Sequence, residues 1–164
     1  MPRATPTPAT ARRTPITPAS TKPVLAPAAG RVAALYTEQP DNDNGQDFFD
    51  PSAMATKDPM LFYGNYLVID HGNGEFSMLG HLGQRSTLVK VGDEVKQGQV
   101  LAKVGSSGSS CFPHLHYELR TGPTLNAEGL PAYFHQYQLL LGSRRRNISR
   151  GAVDNGDFLL QTAR

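Results

Sequence analysis

Two histidines one residue apart, His114 and His116, follow a glycine- and serine-rich run at residues 105–110, and a third, His81, lies upstream. The stretch His114-Leu115-His116-Tyr117-Glu118-Leu119-Arg120 alternates polar and apolar residues, which predicts a strand. Side chains two apart on a strand share a face, so both imidazoles would sit on one side of a sheet. Imidazole ligates zinc readily and titrates near neutral pH, so such a pair suits metal binding or proton transfer. Two half-buried histidines at a sheet edge would give the same pattern without any chemistry.

The elements that must position these residues read as short strands. Val24-Leu25 and Gly30–Tyr36 are strand-like and separated by the turn Pro27-Ala28-Ala29-Gly30. Residues 38–60, rich in Asp, Asn and Pro, predict a long loop of the kind that borders binding grooves. Asn65–Asp70 and residues 75–81 flank His71-Gly72-Asn73-Gly74, and Asn-Gly between two strand-like runs signals a hairpin. That places His71 on a surface turn. Residues 89–104 carry Gly92 and Gly98 in a Val-Gly-x-x-Val-x-x-Gly-Gln-x-Leu pattern, as in biotinyl and lipoyl carrier domains. A carrier needs an exposed lysine at a hairpin tip, whereas Lys90 and Lys96 fall inside the glycine pattern, so carrier function is set aside. The expected fold is all-β, a barrel-sandwich hybrid of short antiparallel strands with long loops.

Taken in order, the Tyr63–Leu82 stretch, the 89–104 segment, the glycine-serine loop and His-Leu-His resemble the lysostaphin/LytM-type zinc metallopeptidases. These enzymes, of duplicated hybrid motif fold, cut peptide cross-bridges of bacterial peptidoglycan. The resemblance covers residues 22–122. It implies that His116 binds zinc and that His81 and His114 act beside the metal as acid-base and polarising groups. The mechanism implied is hydrolysis by a zinc-bound water, with the two unligated histidines shuttling protons and steadying the oxyanion. Implied too are peptidoglycan peptides as partner, no nucleic acid, and an extracellular or periplasmic location. Met78-Leu79-Gly80 departs from the family's usual residues before its first site histidine.

The resemblance brings two further zinc ligands from an upstream His-x-x-x-Asp, yet residues 1–21 contain neither histidine nor aspartate. Three readings follow. The true upstream segment is missing through a misplaced start or frameshift; or the chain is a non-catalytic LytM-like domain that binds cell wall or activates another hydrolase; or a substitute ligand comes from residues 41–50 or Cys111. The abrupt passage at Lys22 from Pro/Thr/Ala/Arg-rich sequence to the family pattern favours the first, and with two expected zinc ligands absent the chain as given is expected to be an incomplete or inactive enzyme.

With 164 residues, 38% hydrophobic content, 16 glycines and 13 prolines, the chain suits one turn-rich β domain. We expect a disordered arm at 1–21, a peptidase-like domain at 22–122 and a C-terminal extension at 123–164. The net charge of +2 implies no strong preference for nucleic acid, and Arg144-Arg145-Arg146 reads as part of a solvated tail. One cysteine excludes an intrachain disulfide. No signal peptide and no run of transmembrane length is visible. An aromatic segment around Tyr133-Phe134 should lie back over the sheet, and residues 151–160 could add an edge strand.

Overall fold

The structure, a computed structural model, describes residues 22–42, 59–154 and 157–161. The chain is all-β, as expected, and among the described residues its helical structure is a single 3-10 turn at Pro59–Tyr63. Six antiparallel strands form the main sheet: β2 (Gly30–Tyr36), β3 (Asn65–Asp70), β4 (Phe76–Leu82), β5 (Glu94–Val95), β7 (His116–Arg120) and β8 (Gly129–Leu130). Their order is β5-β2-β3-β4-β7-β8. A two-stranded sheet joins β1 (Pro23–Leu25) to β6 (Val100–Lys103). The last strands, β9 (Phe134–Leu141), β10 (Arg144–Gly151) and β11 (Phe158–Gln161), form a third sheet with β9 in the middle.

The central strand β3 is apolar on both faces, and alternation sends its side chains to two cores. Leu67 and Ile69 join Val24, Ala26, Val32, Leu79, Leu82, Val95, Leu101 and Ala102 beneath β1 and β6. Tyr66 and Val68 face the other way and pack with Met78, Met60 and Tyr63, so the 3-10 turn covers that second face. Leu67, Ile69 and Leu82 are fully enclosed, and each such side chain contributes about 1.5–3 kcal/mol of burial. No helix among the described residues is long and apolar enough to cross a membrane.

The β3–β4 hairpin forms where Asn73-Gly74 announced it. Gly72, Asn73 and Gly74 all have positive φ (79°, 55° and 77°), a conformation that glycine and asparagine adopt most easily. His71 is more than a surface turn residue. Its Nδ1 bonds the Ala29 carbonyl and its Nε2 the Ser77 hydroxyl, each at 2.7 Å, tying the β1–β2 turn to the hairpin.

One irregularity matters for the site. Asn65 pairs with Leu82 and Leu67 with Leu79, so two steps along β3 oppose three along β4. The extra residue is a bulge at Gly80–His81, and His81 sits at φ 55°. Leu79 and Leu82 therefore both reach the inner core, and the bulge turns His81 toward the face that carries His116. Bulges commonly re-aim a side chain in this way beside functional sites.

The main sheet takes its last strand from beyond residue 122, where Leu130 pairs with Leu119. The expectation of a solvated tail at Arg144-Arg145-Arg146 is corrected: these residues open β10 and pair with Leu141, Leu140 and Leu139 of β9. Exposed arginines are compatible with an edge strand whose faces meet water. The aromatic segment does lie back, with the Phe134 ring 5.7 Å from that of Tyr117, and β11 supplies the late edge strand.

Candidate active site

His81 is held by a buried polar frame. Its ring is 2% exposed, and its Nδ1 lies 2.8 Å from the Ser107 carbonyl. A carbonyl can only accept, so Nδ1 carries the proton in the neutral ring and Nε2 keeps the lone pair. Ser107 is fixed in turn: its hydroxyl donates to the Leu82 carbonyl at 2.7 Å and accepts the Asn65 amide at 2.9 Å. The Asn65 side chain bonds the Leu82 and Gln39 carbonyls. In low-dielectric surroundings these satisfied groups give rigidity that an apolar contact would not.

The glycine-serine loop is pressed against the 3-10 turn. A Cβ on Gly64 would lie 2.4 Å from the Ser107 backbone, and one on Gly108 would lie 2.3 Å from the Gly64 nitrogen. Both residues also have positive φ (68° and 74°), so each must be glycine on two counts. From outside, Asp41 Oδ1 accepts the Ser106 amide at 2.7 Å, and Asn42 Nδ2 donates to the Gly108 and Ser110 carbonyls at 2.7 and 2.8 Å. The beginning of the long loop thus clamps the segment that clamps His81.

His114 precedes β7 and is held there by a bridge to Gly105. Its Nδ1 lies 2.9 Å from the Phe112 carbonyl and 3.2 Å from the Ser110 hydroxyl, so its Nε2 is again the lone-pair nitrogen. The rings of His81 and His114 are 4.7 Å apart, and those of His81 and His116 are 5.6 Å apart. All three predicted histidines meet in one place. Exposed Phe112 packs its ring 5.0 Å from His114 at the rim.

Sequence reasoning missed the residues behind His116. Glu118 and Arg120 continue its face of β7, and their partners across β4, Met78 and Phe76, point to the same side. His116 Nε2 lies 2.5 Å from Glu118 Oε1, which also accepts the Tyr63 hydroxyl at 3.2 Å. Glu118 Oε2 is 3.4 Å from Arg120 Nε, an ion pair without hydrogen-bond geometry. Tyr63 lies edge-on to His116 at 5.0 Å. Burial, and then the Glu118 charge, push the Tyr63 hydroxyl above its ordinary pKa, so it stays a donor. The polar-apolar alternation through Arg120 was the signal for Glu118 and Arg120; nothing local marked Tyr63.

The metal half of the site is not supplied by the described residues. Among them, no group of three or more His, Cys, Asp or Glu side chains could hold a metal ion, whereas catalytic zinc takes three protein ligands. Of the substitute ligands considered, Asp41 is engaged with the Ser106 amide, Cys111 is exposed, and residues 43–50 lie outside the described residues. A cleft lined by Leu79, Leu115, Tyr117 and Phe134 opens on the opposite face of the sheet from the histidines and takes no part in this site.

The antiparallel β fold gathers three histidines from a bulge, a loop end and a strand into one place. Residues 13–128 match peptidase family M23, and the chain belongs to that family. It is 45% identical over 58 residues to the murein hydrolase activator EnvC of Escherichia coli, covering 35% of this chain and 13% of EnvC. It is 47% identical over 57 residues to the peptidoglycan DD-endopeptidase ShyC of Vibrio cholerae, covering 35% of this chain and 13% of ShyC. The chain thus matches only a small part of the length of either relative. Among solved structures, the catalytic domain of a mutant of the prophage-encoded M23 protein EnpA from Enterococcus faecalis aligns with TM-score 0.48 and 27% identity. That alignment covers 67% of this chain and 66% of the other.

Proposed function

We propose that this chain is a peptidase domain that hydrolyses peptides of bacterial peptidoglycan in the cell envelope. Residues 22–122 carry the chemistry, 123–130 complete the main sheet, and β9, β10 and β11 form an appended sheet. The observation that carries this reading is the meeting of His81, His114 and His116 within 4.7 and 5.6 Å in a chain of peptidase family M23. In their neutral forms, His81 and His114 each keep Nδ1–H on a backbone carbonyl and offer Nε2 as a proton acceptor. Once protonated, the same nitrogen donates to the developing oxyanion or the leaving amine. His116 takes the family's metal-ligand position. Zinc is the metal that family membership implies, but the described residues do not complete a site for it, so no step is routed through it.

The same gap supports a second reading, a domain that binds the wall or activates another hydrolase without cutting. One experiment separates the two. Purified chain, supplied with zinc, is incubated with peptidoglycan sacculi, and released peptides are resolved by chromatography and mass spectrometry. Hydrolysis predicts newly freed peptide termini, with release reduced about 10²-fold or more in His114→Ala. Sacculi that bind the chain but release nothing at any zinc concentration would overturn the cutting role and leave the binding one.

A further inference from the structure

Behind His116 stands a carboxylate whose surroundings leave it little freedom. Glu118 Oε1 takes the His116 ring nitrogen at 2.5 Å and the Tyr63 hydroxyl at 3.2 Å, and Oε2 faces Arg120. Arg120 is 2% exposed, and its guanidinium is 5.8 Å from the Tyr63 ring centre. Its Nη2 donates to the Leu125 carbonyl at 3.1 Å, while Nε and Nη1 have no hydrogen-bond partner. A buried cation requires a compensating anion, and among the described residues the carboxylate that pairs with it is Glu118. Arg120 and Tyr63 therefore hold the Glu118 carboxylate from two sides, the hydroxyl by a hydrogen bond to Oε1 and the guanidinium by its charge beside Oε2.

We propose that Glu118 is a positioning residue: it fixes His116 as the Nε2–H tautomer, leaving Nδ1 as the lone-pair nitrogen, with Tyr63 and Arg120 holding the carboxylate in register. An acceptor-only carboxylate requires a donor on the ring, and a neutral imidazole has one N–H to give. His81 and His114 are set the opposite way, with Nδ1–H on the carbonyls of Ser107 and Phe112. The site thus combines two rings that present Nε2 with one that presents Nδ1. Strand geometry explains why the relay fits: His116, Glu118 and Arg120 are consecutive residues of one face, and Gly80 opposite His116 leaves room for Tyr63. A Cβ added at Gly80 would come within 3.2 Å of the Tyr63 Cβ.

The relay's use in catalysis rests on the peptidase reading, whereas its existence does not, and the test keeps the two apart. Long-range proton-nitrogen correlation spectra of the wild-type chain, recorded at mildly alkaline pH, report the tautomer of each histidine. The expected result is Nε2–H for His116 and Nδ1–H for His81 and His114. An Nδ1–H signature for His116 overturns the proposal, whether or not the chain cuts peptidoglycan. Glu118→Gln should shift His116 toward a mixture of tautomers and lower kcat about 10- to 100-fold with little change in KM. Tyr63→Phe, which leaves the ion pair in place, should move both readouts in the same direction by less. A His116 tautomer unmoved in both variants would overturn the relay, and cleavage by the wild type would then leave the peptidase reading standing.

Discussion

The main sheet and the C-terminal sheet bury their polar groups in opposite ways. Around β3, β4 and β7 the interior holds Asn65, Ser77, His81, Ser107 and Arg120 alongside a dense aliphatic core. In the β9–β10–β11 sheet the buried apolar side chains are Tyr137 and Leu139, while Leu141, Phe158 and Leu159 are exposed and the arginines of β10 face water. Buried polar groups are tolerated only when partnered, and partnering fixes geometry as well as energy. The first sheet can therefore hold three rings in set orientations. The second has few interior constraints and can vary without disturbing the histidines.

The largest expected effect tests that division directly. His114→Ala should lower peptidoglycan cleavage by about 10²–10⁴-fold with little change in thermal stability, whereas Arg146→Ala should leave the rate essentially as it was. Comparable losses in the two variants would tie the C-terminal sheet to catalysis and break the comparison. Stability gives the next contrast. Leu67→Ala should cost about 2–5 kcal/mol in denaturant titration, and Leu141→Ala on the exposed sheet about 0.5 kcal/mol or less.

Polar groups sharpen the same point. Ser107→Ala strands the Asn65 amide and leaves the Leu82 carbonyl with the Asn65 side chain as its remaining donor, and should cost about 1–3 kcal/mol; Ser149→Ala on β10 should be nearly silent. Metal analysis of the chain isolated without added zinc should find well below one zinc per molecule, changed little by His116→Ala. Stoichiometric zinc that disappears in His116→Ala would show that residues beyond the described ones complete a ligand set. The smallest effect belongs to the exposed pair Glu38–Arg85. Hydrogen bonds from Arg85 and then Thr37 hold the Glu38 carboxyl below its ordinary pKa of 4.5. Any stabilisation is present above that value and lost as pH falls through the lowered one. Both side chains are largely solvated, so Glu38→Gln should leave the acid-unfolding curve unmoved within error.

Much of the main sheet was legible because its determinants are local. The apolar run of β3 and the Asn73-Gly74 turn specify strand and hairpin without reference to distant residues. His114 and His116 were placed together by strand periodicity, and His81 was joined to them by the family resemblance alone. What escaped notice depends on pairing between distant segments. The bulge at Gly80–His81 is a register event decided by how β3 aligns with β4, and its one local sign is Gly80, since a glycine inside a strand often marks a bulge. Tyr63 meets Glu118 across a separation of 55 residues, and it falls between the loop predicted at 38–60 and the strand predicted at 65–70. The arginine run of β10 misled because a strand wetted on both faces carries no apolar alternation to betray it.

The left-handed backbone at His81 sets stability against activity at a single position. A non-glycine residue in that conformation costs on the order of 1 kcal/mol or more, and asparagine or glycine would carry less of it. A library randomised at position 81 should therefore diverge under two selections. Sorting for heat resistance should enrich asparagine, which tolerates this backbone and still offers an N–H toward the Ser107 carbonyl, sorting for wall cleavage should retain histidine, and alanine, which strands that buried carbonyl, should lose under both.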